Sequence, residues 1–171
     1  MIDTTEDIEE VFLNPGDFHF GARHTRISTL LGSCVSITLW HPRRHIGGMC
    51  HYMLTTRPRG TGKTLDGRYA DEAFALFLRE VEAAGTHPGE YEAKLFGGGN
   101  MFTGSDGSKL DIGRRNVDFG RQFLQSKGIS LKAEHVGGDG RRKLHFNVWN
   151  GDVWLAFREG SGAEIRKTGN G

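Results

Sequence analysis

Glycine punctuates this chain at short intervals. Its 26 glycines, set against 4 prolines, lie between apolar runs without forming a repeat, and they divide the chain into many short elements. After a polar start, Asn14-Pro15-Gly16-Asp17 reads as a turn, and the apolar runs Arg26 to Leu31, Val35 to Trp40 and Ile46 to Leu54 read as strands. Pro42-Arg43, between the second and third runs, predicts a hairpin, which would fold Cys34 back toward His51. From Tyr69 to Ala84 the residues Ala70, Ala73, Phe74, Phe77, Leu78 and Val81 follow helical spacing, with Gly85 as a stop. A second helix is predicted from about Arg114 to Lys127, with Gly128 as its stop and Gly120 as the residue that fits it least. Further strands are expected over Ala93 to Phe96, Ser130 to Val136, Lys143 to Val148 and Val153 to Phe157. The stretch Glu159 to Gly171 is polar and without periodicity, and is expected to be disordered.

A chain of 171 residues has the length of one domain with one sizeable core. Its 22 Lys and Arg against 21 Asp and Glu leave a net charge of +1, so no global field draws it to nucleic acid or an anionic membrane. Partners must be recognised locally. Residues Met1 to Glu10 are acidic and lack a signal-peptide pattern, and no apolar stretch approaches eighteen residues, which predicts a cytoplasmic protein without membrane insertion. Two cysteines, Cys34 and Cys50, make no disulfide framework in such a compartment.

The sharpest local feature is Leu31-Gly32-Ser33-Cys34-Val35, a small-residue turn that presents a thiol at the entry to an apolar strand. Successive N–H groups in such a turn, here around Gly32 and Ser33, can converge on an oxyanion. An ordinary thiol, with a pKa of about 8.5, needs a base at neutral pH, and His51 is the candidate. A lone cysteine beside a strand is more often a small buried hydrophobe, and spacing alone favours that reading. Cys50 faces away from His51 in an extended segment and is structural on either reading. No paired Cys or His spacing suggests zinc, and neither metal nor cofactor is called for. Gly60-Thr61-Gly62-Lys63-Thr64 imitates the end of a phosphate loop but has Arg57 where the first glycine belongs, so it reads as a loop. Gly97-Gly98-Gly99-Asn100 can approach a ligand closely, which makes Gly98 and Asn100 candidates for the border of a substrate site. Arg141-Arg142-Lys143 reads as the solvated start of a strand.

Thr29 to Val35, followed by Ile46-Gly47-Gly48-Met49-Cys50-His51-Tyr52-Met53-Leu54, resembles the signature of the CheD family. Asp66 to Ala70, Ala93 to Phe102 and Ile112 to Val117 are similar to further family motifs in the same order, so the resemblance spans roughly Pro15 to Arg158. It implies a single α+β domain over 15–158, between an N-terminal segment 1–14 and the tail 159–171. The implied fold has layered helices and mixed β-sheets, similar to the catalytic domain of cytotoxic necrotizing factors. It also implies a cysteine hydrolase that converts glutamines on the cytoplasmic helices of chemoreceptors to glutamates, and association with a CheC-type phosphatase. The family nucleophile falls on Cys34 and its histidine on His51. The third catalytic residue, a threonine six positions before the cysteine, falls on Ser28, with Thr29 next to it as the alternative. In a strand these two face opposite ways, so only one can serve. Two rival readings accompany this one: an adaptor that works by binding, and a cysteine hydrolase of another amide or ester.

Overall fold

The computed structural model describes residues 7–58, 64–101, 111–159 and 162–168. Among these residues ten strands form two five-stranded sheets, and two α-helices cover one of them. The first sheet contains β1 (Glu9–Leu13), β3 (Thr25–Leu31), β8 (Arg141–Asn147), β9 (Val153–Glu159) and β10 (Gly162–Thr168), in that order. The second runs β2 (Phe18–Gly21), β5 (Ile46–Cys50), β4 (Val35–His41), β6 (Glu92–Gly97), β7 (Ser130–Val136). Both sheets are mixed, because β1 pairs parallel to β3 and β6 parallel to β7 while the other pairs are antiparallel. The chain is thus one α+β domain of three layers, as the sequence leads one to expect.

Alternation along β4 builds two cores at once. Val35, Ile37 and Leu39 face the helices α1 (Ala70–Ala83) and α2 (Ile112–Ser126), where they meet Tyr52, Phe77, Val117 and Leu124. Phe74 of α1 stacks on Phe123 of α2 at 4.0 Å between ring centroids. Trp40 points the other way, into the space between the sheets, with Leu31, Met49, Phe96, Leu144 and Phe146. Gly120 is required by this packing, because a Cβ there would lie 2.7 Å from the Tyr52 hydroxyl and 3.1 Å from Leu95. The residue that fits the helix least is therefore the one that lets α2 approach the sheet.

Three expectations are corrected. The tail expected to be disordered contains β10, paired along its length with β9. Its ladder is reinforced by Lys94, whose buried ammonium donates to the carbonyls of Gly151 (2.9 Å) and Thr168 (2.8 Å). β1, which overlaps the polar start, and β2, in the stretch between the Asn14–Asp17 turn and Arg26 where the sequence predicts no element, are strands. Arg142 is buried rather than solvated. Its guanidinium donates to His135 Nδ1 and Gly137 O and lies 4.6 Å over the Phe157 ring. The Gly60–Thr64 stretch falls, apart from Thr64, outside the described residues.

Candidate active site

The segment Gly32-Ser33-Cys34 is where the chain leaves the first sheet and enters the second, since β3 ends at Leu31 and β4 begins at Val35. Cys34 packs half-buried against the core between the sheets. On the neighbouring strand, Val35 and Tyr52 exchange both backbone hydrogen bonds at 3.0 Å, which puts Ser36 opposite His51 and Cys34 diagonal to it on the same face. The hairpin thus brings thiol and imidazole to one face at the mouth between the sheets, with Cys50 turned to the helix side.

The first sheet supplies the third group. Thr29 faces inward from β3, fully buried, with its hydroxyl 2.7 Å from His51 Nδ1 and 2.7 Å from the Leu13 carbonyl. The carbonyl can only accept, so the single hydroxyl proton goes to Leu13, and Nδ1 must carry the proton it shares with Thr29. This fixes the tautomer of His51 and leaves Nε2 as the basic nitrogen. Ser28, one residue earlier, faces the opposite surface of the sheet and bonds His145 Nδ1 at 2.5 Å. The geometry replaces Ser28 by Thr29 as the hydroxyl on His51, because only the inner face of β3 looks toward the second sheet.

Burial sets the resting protonation. It pushes the Cys34 thiol up, and it lowers His51 to about 4 against a weak opposing pull from Asp17. The pair rests as neutral thiol and neutral imidazole near pH 7. A histidine whose folded pKa lies below its unfolded value weakens the fold as pH falls, since the unfolded chain then binds the extra proton. Stability should therefore drop between about 6.5 and about 4 and level off below, by on the order of 3 kcal/mol from this residue. Denaturant titrations across this range should flatten in His51→Asn. An unchanged slope would show that His51 does not carry the effect.

The turn is held from behind. The carbonyls of Gly32 and Cys34 accept from Gly99 N and Gly98 N at 2.9 Å each, and the Ser33 carbonyl accepts from Asn116 Nδ2 at 3.3 Å. Among the described residues the N–H groups of Ser33 and Cys34 donate to nothing. Gly98, expected beside the substrate, sits behind the turn with φ of +68°, and a Cβ there would lie 2.4 Å from Val117 Cγ2. Asn100 is exposed at the rim, its N–H given to Gly138 O. Asn116 is the residue that sequence reasoning missed. It is buried on α2, also donates to Met53 O at 2.8 Å, and so ties the segment after His51 to the turn before Cys34. The one signal was a polar residue on the inward face of a helix, inside a family motif.

No group of three or more potential metal ligands clusters among the described residues, and no helix there is long and apolar enough to cross a membrane. A family model described as "CheD chemotactic sensory transduction" matches residues 53–157. A protein of Dechloromonas aromatica named "Probable chemoreceptor glutamine deamidase CheD 3" is 69% identical over 160 residues, covering 94% of each chain. One of Chromobacterium violaceum, named "Probable chemoreceptor glutamine deamidase CheD 1", is 48% identical over 149 residues, covering 86% of this chain and 77% of its own. A third, from Leptospira interrogans and also named "Probable chemoreceptor glutamine deamidase CheD 1", is 36% identical over 163 residues, covering 91% of this chain and 96% of its own. A two-sheet α+β domain with thiol, imidazole and hydroxyl gathered at the mouth between its sheets is the setting these likenesses fall on. The chain belongs to the CheD family.

Proposed function

We propose that this protein is a chemoreceptor glutamine deamidase in which Cys34 is the nucleophile, His51 the general base and then acid, and Thr29 the positioning residue for His51. The observation that carries the reading is the Thr29–His51 hydrogen bond on the face shared with Cys34. His51 Nε2 takes the thiol proton as Sγ attacks the glutamine side-chain carbonyl. The oxyanion is met by the N–H groups of Ser33 and Cys34, which the engaged carbonyls of the turn hold outward. The imidazolium returns its proton to the leaving nitrogen, the C–N bond breaks and ammonia departs. Water, deprotonated by the same Nε2, then cleaves the thioester to glutamate and free thiol.

The direct test mixes the purified protein with a chemoreceptor cytoplasmic fragment and follows ammonia and peptide mass. The expected result is a gain of about one dalton at particular glutamines, with matching ammonia. No mass change despite detectable binding would transfer the reading to an adaptor. A second test separates the adjacent hydroxyls. Thr29→Val removes the acceptor for Nδ1–H and should lower kcat by on the order of 10- to 100-fold with little change in KM. Ser28→Ala acts on the other face and should leave kcat within about twofold.

A further inference from the structure

The helices pack on the second sheet, and among the described residues no helix covers the outer face of the first. Register places Leu30, Lys143, Ala156 and Ile165 side by side across β3, β8, β9 and β10 on this face. Leu30, in β3, is 55% exposed and Ile165, in β10, 78%, large values for apolar side chains within strands. They border a shallow cavity of about 410 Å³ that reaches Gly32, two residues from Cys34.

The charges around this cavity are of one sign. Arg141 and Arg158 stand directly opposite each other on β8 and β9, and Lys143 follows Arg141 on the same face. No carboxylate lines the cavity, and none of the three cations has an ion-pair partner among the described residues. Like charges paired directly across two strands destabilise a sheet, and an anion lying over them removes that cost. On and beside this sheet, Glu10 pairs with Arg26 at 3.2 Å and Asp152 with Lys167 at 3.0 Å.

We propose that this face docks an acidic amphipathic helix of the chemoreceptor substrate, its apolar side on Leu30, Ala156 and Ile165 and its carboxylates against Arg141, Lys143 and Arg158. The inference rests on the deamidase reading for the identity of the partner. Charge complementarity and continuity with the Cys34 turn carry the rest. A helix is the natural cover, since layered folds bury an apolar sheet face under helices, as this chain does on its other sheet. The surface holds the receptor segment beside the glutamine while the thiol acts on the glutamine itself.

The test measures binding apart from turnover. In a Cys34→Ala background, Lys143→Glu with Arg158→Glu should weaken affinity for the receptor cytoplasmic fragment by on the order of tenfold, and added salt should weaken the unreversed protein similarly. In the active protein the same pair should raise KM by that factor and leave kcat in place. Lys132→Glu, on the exposed edge strand β7, should change neither. Unchanged affinity in the double reversal, or no binding of the fragment at all, would overturn the proposal. So would a dimer in solution that Leu30→Glu splits, because the face would then belong to a second copy of the chain. Salt-sensitive, groove-dependent binding without deamidation would sink the deamidase reading and keep the docking surface. Deamidation with affinity indifferent to the reversals would do the opposite.

Discussion

Cys34→Ala is expected to abolish ammonia release while leaving a folded protein that still binds a receptor fragment. The lost group is a small half-buried thiol against the core between the sheets, and its truncation should cost the fold no more than about 1.5 kcal/mol. The lost chemistry is the whole covalent route, so turnover should fall by on the order of 10³-fold or more rather than by a modest factor in KM. Ammonia assay, thermal melting and binding to the receptor fragment on one preparation check all three parts. Deamidation at the parent rate would remove Cys34 from the mechanism, and the neighbouring Cys50 offers no substitute. That thiol is fully buried on the helix side, with its pKa pushed up to about 12.

The second large effect is expected at Asn116. One side-chain amide holds the carbonyls of Ser33 and Met53, and the backbone carbonyl of Asn116 accepts from the Tyr52 hydroxyl at 2.6 Å. Asn116→Ala leaves two carbonyls without their donor, at about 1–3 kcal/mol each where they stay dry. Melting should drop by on the order of 5–15 °C. The turn before Cys34 and the segment after His51 also lose their common tie, so kcat should fall at least about tenfold with KM little changed. Asn116→Asp, close in shape but with an acceptor where the donor was, should be no better than alanine. If Asn116→Ala melted early but kept its kcat, the residue would serve the fold alone.

What could be read from the sequence was whatever alternation or helical spacing records. β4 shows as an alternation of Val35, Ile37 and Leu39 with Ser36 and Thr38, although it is covered on both faces, and α1 shows as a stripe because only one of its faces is covered. β10 left no such trace. Its one large apolar residue, Ile165, points outward, and the strand is held by its ladder and by the Lys94 ammonium. The choice between Ser28 and Thr29 was half legible, since alternation states that only one can face His51. Which one depends on the side from which the second sheet packs, a fact of tertiary structure with no local record. Asn116 is the extreme case. A polar residue on a buried helical face acquires meaning only when the Ser33 carbonyl lies beneath it.

If Cys34, His51 and Thr29 act together as proposed, the passage of residues Gly32 to Cys34 from one sheet to the other decides how the centre fails. Thiol and imidazole belong to the second sheet and the hydroxyl that orients the imidazole to the first, so neither half of the sandwich owns a working centre. Any loosening of the Leu31, Met49 and Phe96 contacts that hold the sheets face to face spreads the centre before it unravels a strand. On the proposed mechanism, catalytic competence is then a gauge of sheet-to-sheet docking, and a chain whose strands are all intact can already be inert.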